Sequence, residues 1–133
     1  MSMQRLPNWQ DRLSAAFARA HAAKFEWGEF DCCLWAADAV LALTGVDPAA
    51  GLRGQYSGPL EAYRVVRSMG GLAGIGSLGG PPIAPLAAMP GDIGLVRVDK
   101  PMLAVCAGAV WMVAATKGLH ALPLDAALMA WRV

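Results

Sequence analysis

Phe25-Glu26-Trp27-Gly28-Glu29-Phe30-Asp31-Cys32-Cys33-Leu34-Trp35-Ala36-Ala37-Asp38-Ala39-Val40-Leu41-Ala42-Leu43-Thr44-Gly45 joins an aromatic connector to a long apolar run. Asp31 has the short acceptor side chain that favours a helix N-cap, and Gly45 suits the left-handed residue that ends one. A helix from Cys32 to about Thr44 follows. It is apolar nearly all round, with Asp38 as its only interior charge, and a helix of that kind belongs at the centre of a domain.

The flanks set the rest of the fold. Upstream, Asn8 occupies an N-cap position, and Trp9, Leu13, Ala16, Phe17 and Ala20 share a face at helical spacing as far as about Lys24. Downstream, Ser57-Gly58-Pro59 opens a third helix with Leu60, Tyr63, Val66 and Met69 on one side, ended by Gly70-Gly71. Leu72 to Met89, rich in Gly and Pro, reads as a long surface loop. From Pro90-Gly91-Asp92 the pattern changes to strands: Ile93 to Val98, Leu103 to Ala107, Ala109 to Ala115, Gly118 to Leu122 and Ala130 to Val133. Pro123-Leu124-Asp125 reads as a single helical turn. Helices followed by strands imply an α+β fold with an antiparallel sheet, and 133 residues fit one domain, 1–133.

Composition limits the function. Eleven basic and 10 acidic residues leave a net charge of +1, too little to attract nucleic acid or anionic lipid. The longest uncharged apolar stretch, Met102 to Ala115, is short of the roughly 20 residues a membrane span needs. Three cysteines, two of them adjacent, suit free thiols in a reducing compartment better than a disulfide framework, and the N-terminus lacks the apolar run of a signal peptide.

Cys32 is the candidate nucleophile. In the first turn of a helix it faces free N–H groups and the positive end of the dipole, which favours thiolate. A buried small hydrophobe is the competing description, and it suits Cys33 better, about 100° further round the helix. Trp27 sits where a ligand could stack. The two histidines are His21, on the polar side of the first helix, and His120, on a late strand, a weak candidate base. Asp31 and Asp92 are weaker proton acceptors. Gly74-Ile75-Gly76-Ser77-Leu78-Gly79 matches a dinucleotide fingerprint by letter but lacks the preceding strand and following helix. No metal is expected from these distant Cys and His positions, nor any cofactor.

Trp27-Gly28 followed by Asp31-Cys32 at the head of an apolar helix resembles the active-site segment of NlpC-type papain-like peptidases. Pro90-Gly91-Asp92-Ile93 is similar to the Gly-Asp step that begins their sheet, and Ala104-Val105-Cys106-Ala107-Gly108 to the next strand. Thr44-Gly45-Val46-Asp47, Arg53-Gly54-Gln55-Tyr56 and Ala130-Trp131-Arg132-Val133 resemble a small family of phage and prophage proteins. The resemblance implies a papain-like domain, N-terminal helices packed on a C-terminal antiparallel sheet. It implies Cys32 as nucleophile, with Trp27, Gly28, Asp31 and Asp92 around it. It implies phage tail proteins or peptidoglycan stem peptide as partners, and a cytoplasmic or virion-associated location. In such peptidases a histidine at the start of the second strand is the base. Counting back from Gly108 puts that position at about Met102, with Leu103 and Ala104 beside it, and none of these can carry a proton. A catalytically degenerate structural or binding component is therefore expected, with an active cysteine hydrolase as the alternative.

Overall fold

A computed structural model describes residues 4–133. Four helices come first: α1 (Trp9–Ala22), α2 (Cys32–Thr44), α3 (Pro59–Ser68) and the short α4 (Gly71–Gly76). Six strands follow: β1 (Pro82–Ile83), β2 (Ile93–Arg97), β3 (Pro101–Cys106), β4 (Val110–Ala114), β5 (Leu119–Pro123) and β6 (Ala127–Trp131). They form one sheet in the order β1-β6-β2-β3-β4-β5, antiparallel at every pairing. The protein is α+β, with its helices N-terminal to the sheet.

α2 is the centre. Asp31 caps it through a hydrogen bond from the Leu34 N–H at 3.0 Å, and Gly45 closes it at φ +77°. Leu34, Trp35, Ala39 and Leu43 on it are completely or almost completely enclosed. The Trp35 indole crosses to the sheet and donates to the Met112 carbonyl at 3.0 Å, while Phe17 of α1 meets its ring edge-on at 5.4 Å. Arg12 reaches from α1 to the Leu41 and Ala42 carbonyls and so caps the C-terminal end of α2, where a cation is favoured. Asp38 pairs with Arg53 at 2.8 Å, and Arg53 also holds Asp47.

The sheet separates two clusters. Leu103, Val105, Ala114 and Ile93 face α1 and α2. Val96, Ala104, Cys106, Trp111, Val113 and Leu122 make a second core on the other face. Gly94 leaves room on that face for the Trp111 ring to lie across β2, since a Cβ there would be 2.7 Å from it. Gly108, at φ +101°, joins β3 to β4, where two buried strands were expected to meet.

Several sequence expectations need correction. Asn8 holds the cap position of α1, but its side chain makes no capping bond. α1 stops at Ala22 rather than near Lys24, because Ala23 is extended and Lys24 bridges to Lys117 at the end of the sheet. The stretch read as a loop, Leu72 to Met89, contains most of α4, a 3-10 turn (Ser77–Gly79), β1 and a second 3-10 turn (Pro85–Ala87). β3 begins at Pro101, which already pairs with Arg97. β6 runs Ala127–Trp131 instead of Ala130 to Val133: Met129 pairs with Leu95 and Ala127 with Val96, so Leu128 bulges out of the ladder. Arg132 and Val133 leave the strand to bind Asp92.

Candidate functional site

The connector between α1 and α2 is tied down at both ends. Phe25 donates its N–H to the Thr116 carbonyl at 3.0 Å, and Gly118 donates to Ala23 at 2.7 Å, fastening the segment to the β4–β5 turn. Glu26 and Phe30 exchange backbone hydrogen bonds at 2.8 and 2.9 Å, making a tight loop whose tip is Gly28. Gly28 has φ +83°, and a Cβ on it would lie 2.0 Å from the Tyr56 carbonyl oxygen. No other residue fits there.

Asp31 is the hub of this region. Its carboxylate accepts from the Leu34 N–H, from the Gly28 N–H at 3.1 Å and from the Tyr56 hydroxyl at 2.6 Å, and the residue is 2% exposed. Three of the roughly four acceptor positions of its carboxylate are thus taken by donors of the chain itself, and it sets the position of the α2 tip. Burial, then the hydrogen bond to Asp31, pushes the Tyr56 hydroxyl well above the ordinary tyrosine range. Tyr56 was quoted in the sequence only as part of Arg-Gly-x-Tyr; its partnership with Asp31, 25 residues away, becomes visible only on folding.

Cys32, the first residue of α2, is half-buried and opens on a groove of about 1240 Å³. One wall is α3, through Pro59, Tyr63, Val66 and Arg67; the other is Lys100 to Met102 and the end of β4; Phe25 and Trp27 close one side. These two rings meet edge-on at 4.8 Å. The Cys32 and Cys33 sulfurs lie 4.0 Å apart. The Cys33 thiol serves as donor to Cys32, which holds the Cys32 thiol below its ordinary range against the opposing effect of burial; the Leu103 backbone N–H adds to the lowering and nearby Asp31 opposes it. Cys33 goes the other way, pushed up by the same hydrogen bond and by burial. Cys32 is therefore the more acidic thiol of the pair.

No imidazole is among the side-chain partners of Cys32 in the described residues. Met102 lines the groove at the start of β3, where the resemblance places the base. His120 also borders the groove, from β5. Its row partner is Val113, so alternation places its side chain with Val113 and Leu122 on the sheet face away from α2. Its backbone is two strand spacings, roughly 10 Å, from β3, against which Cys32 sits. His21 is exposed on α1.

Asp92 is a structural anchor. Fully buried, it accepts from Arg5 at 3.2 Å, Arg132 at 3.1 Å, the Met89 N–H at 2.9 Å and the Val133 N–H at 3.0 Å, and it does not line the groove. The glycines of the fingerprint-like stretch are explained by packing. A Cβ on Gly74 would fall 2.2 Å from the Met69 carbonyl oxygen, and one on Gly76 would fall 2.4 Å from the Trp131 ring. Among the described residues no group of three or more His, Cys, Asp or Glu side chains could hold a metal ion, and no helix is long and apolar enough to cross a membrane.

An α+β domain with an activated thiol at a helix tip, facing a groove closed by its own sheet, is the class these observations define. The chain matches the model of a family described as a domain of unknown function, DUF6950, over residues 4–133, and it belongs to that family. No curated protein matches the sequence.

Proposed function

We propose that this is an NlpC-type papain-like domain that binds a peptide-like ligand in its groove without cutting it, as a structural or binding component of a phage- or prophage-derived particle. One observation carries the proposal: Cys32 stands at the α2 tip on the groove beside Leu103 of β3, and neither Leu103 nor its neighbours Met102 and Ala104 can carry a proton. An acyl-transfer peptidase needs a proton carrier within hydrogen-bond reach of both the sulfur and the departing nitrogen. Neither Met102 nor His120 offers one. The papain-like reading is supported by the order of the elements, a cysteine-tipped central helix packed on an antiparallel sheet whose β2 and β3 follow the Gly91-Asp92 step. The groove's mixture of aromatic walls and two cations, Arg67 and Lys100, suits a ligand with apolar and anionic parts.

A second reading, an active cysteine hydrolase, is favoured by one feature, the half-exposed Cys32 held towards its thiolate form. Co-sedimentation with purified peptidoglycan sacculi separates the two. The binding reading expects retention of wild type and Cys32→Ser alike, with no new amino groups released. Amino groups released by wild type and not by Cys32→Ser would overturn it in favour of the hydrolase; loss of sedimentation in both would remove the sacculus as ligand and overturn the peptide-binding reading for this groove.

A further inference from the structure

We propose that α3 is a lid over the groove, and that an anion held between Arg67 on the lid and Lys100 on the opposite rim draws it shut. The inference rests on the reading of this groove as a ligand site, and it deepens that reading by naming the part that moves and the charge that moves it.

α3 is held far more weakly than the rest of the domain. Ten of the 13 residues of α2 are buried, against Ala62 alone of the 10 in α3. Val66, half-buried, packs on the main core. Among the described residues no side chain of α3 forms a hydrogen bond or ion pair with another element; Glu61 meets Ser57 just before the helix, and Ser68 bonds back to Val65. Its N-cap, Gly58, supplies no capping side chain. A helix this short has little stability of its own, since isolated helices under roughly 12–15 residues are marginal in water. Few buried contacts and no polar ties are the marks of an element that opens locally.

Both ends are anchored, so the segment swings as a unit. Before it, Tyr56 is buried and bound to Asp31 at 2.6 Å. After it, Leu72, Ala73 and Ile75 of α4 pack on the main core, and Gly76 lies against the Trp131 ring. Gly70 and Gly71 stand between α3 and α4 at φ +88° and +77°, and a Cβ on either would meet no clash. They are glycine for the backbone turn itself, as a hinge requires.

The face that α3 turns to the groove is the one a lid needs. Pro59, Ala62, Tyr63, Val66 and Arg67 recur at helical spacing along it. Tyr63 is 62% exposed and packs on neither core. Pro101 and Met102 stand on the opposite wall, so closure removes apolar surface from water on both sides. Charge opposes it. Arg67 and Lys100 approach each other as the lid closes, both exposed and neither in an ion pair among the described residues. Asp31, the one carboxylate lining the groove among those residues, already accepts three hydrogen bonds. The neutralising charge therefore comes from a ligand, and an anion between the two cations turns their repulsion into attraction.

Hydrogen exchange of the full chain, resolved by peptide, tests both parts. Amides of α3 are expected to exchange on the order of a hundredfold faster than those of α2. Lys100→Glu puts opposite charges across the groove and should slow α3 about two- to fivefold, the scale of exposed charge pairs, with α2 unchanged. Adding Arg67→Glu to that variant should return the wild-type rate. Citrate should slow α3 in wild type more than sodium chloride does at equal ionic strength. Exchange of α3 in step with α2 would overturn the lid. Fast exchange that Lys100→Glu leaves unchanged, or that citrate slows no more than sodium chloride, would overturn the charge-driven closure. Either result with sacculus binding intact leaves the binding reading standing; loss of sacculus binding with α3 responding as expected removes the peptide and keeps the lid.

Discussion

Replacing Asp31 by Ala removes one carboxylate and three hydrogen bonds, and the cost can be worked from its partners. The Leu34 N–H loses its cap, worth about 1 kcal/mol. The Gly28 N–H and the Tyr56 hydroxyl are left in the interior without an acceptor, at about 1–3 kcal/mol each. The sum is about 3–7 kcal/mol, a large part of the roughly 5–15 kcal/mol that holds a typical domain folded. At this size it corresponds to a fall in Tm of roughly 10–20 °C. Urea denaturation of Asp31→Ala, Tyr56→Phe and the double variant tests the arithmetic. Tyr56→Phe alone should cost about 1.5–3 kcal/mol, as a hydrogen bond to a charged group. The double variant should cost less than the sum of the singles by about 1–3 kcal/mol, since without Tyr56 one orphaned donor disappears. A loss below about 1 kcal/mol for Asp31→Ala, or no coupling with Tyr56, would refute the assignment of Asp31 as the anchor of the α2 tip.

Further outcomes follow from the same geometry. Because folding raises the Tyr56 pKa, its contribution is complete below the unfolded value of about 10 and is lost as pH rises above it. The stability gap between wild type and Tyr56→Phe should therefore be flat to about pH 10 and narrow beyond; a gap that widens there contradicts the buried hydroxyl. Gly28→Ala puts a methyl group 2.0 Å from the Tyr56 carbonyl at a left-handed φ, so it should cost about 3 kcal/mol or more, measured by urea midpoint. Asp92→Ala leaves two cations and two N–H groups without their acceptor and should cost about 3–5 kcal/mol, while iodoacetamide labelling of Cys32 under folded conditions stays unchanged, as Asp92 does not touch the groove.

What the sequence disclosed divides along the range of the interactions. The α2 boundaries were legible because Asp31 and Gly45 act on backbone groups within a turn of themselves. The strands from Ile93 onward were legible because alternation is local, though their ends moved where pairing decided them, as at Pro101 opposite Arg97. α4 was misread because Gly74 and Gly76 mark a loop by local rule, whereas here their missing side chains admit the Met69 carbonyl and the Trp131 ring. Asp92 suggested a proton acceptor until Arg5 and Arg132, from opposite ends of the chain, arrived to bind it. For the site, Cys32 and Trp27 line one groove as the motif implied. Arg67 and Lys100, on separate elements, had no signal beyond being surface cations.

The state of the Cys32 sulfur is reported most directly by its alkylation rate against pH, resolved by peptide from Cys33 and Cys106. A lone thiolate donor-bonded by Cys33 should give a single sigmoid with its midpoint below the free cysteine value of about 8.5, with Cys33 and Cys106 unlabelled while the chain stays folded. Reactivity that persists on a plateau down to about pH 4, the mark of a thiolate–imidazolium pair, would contradict a groove without a base.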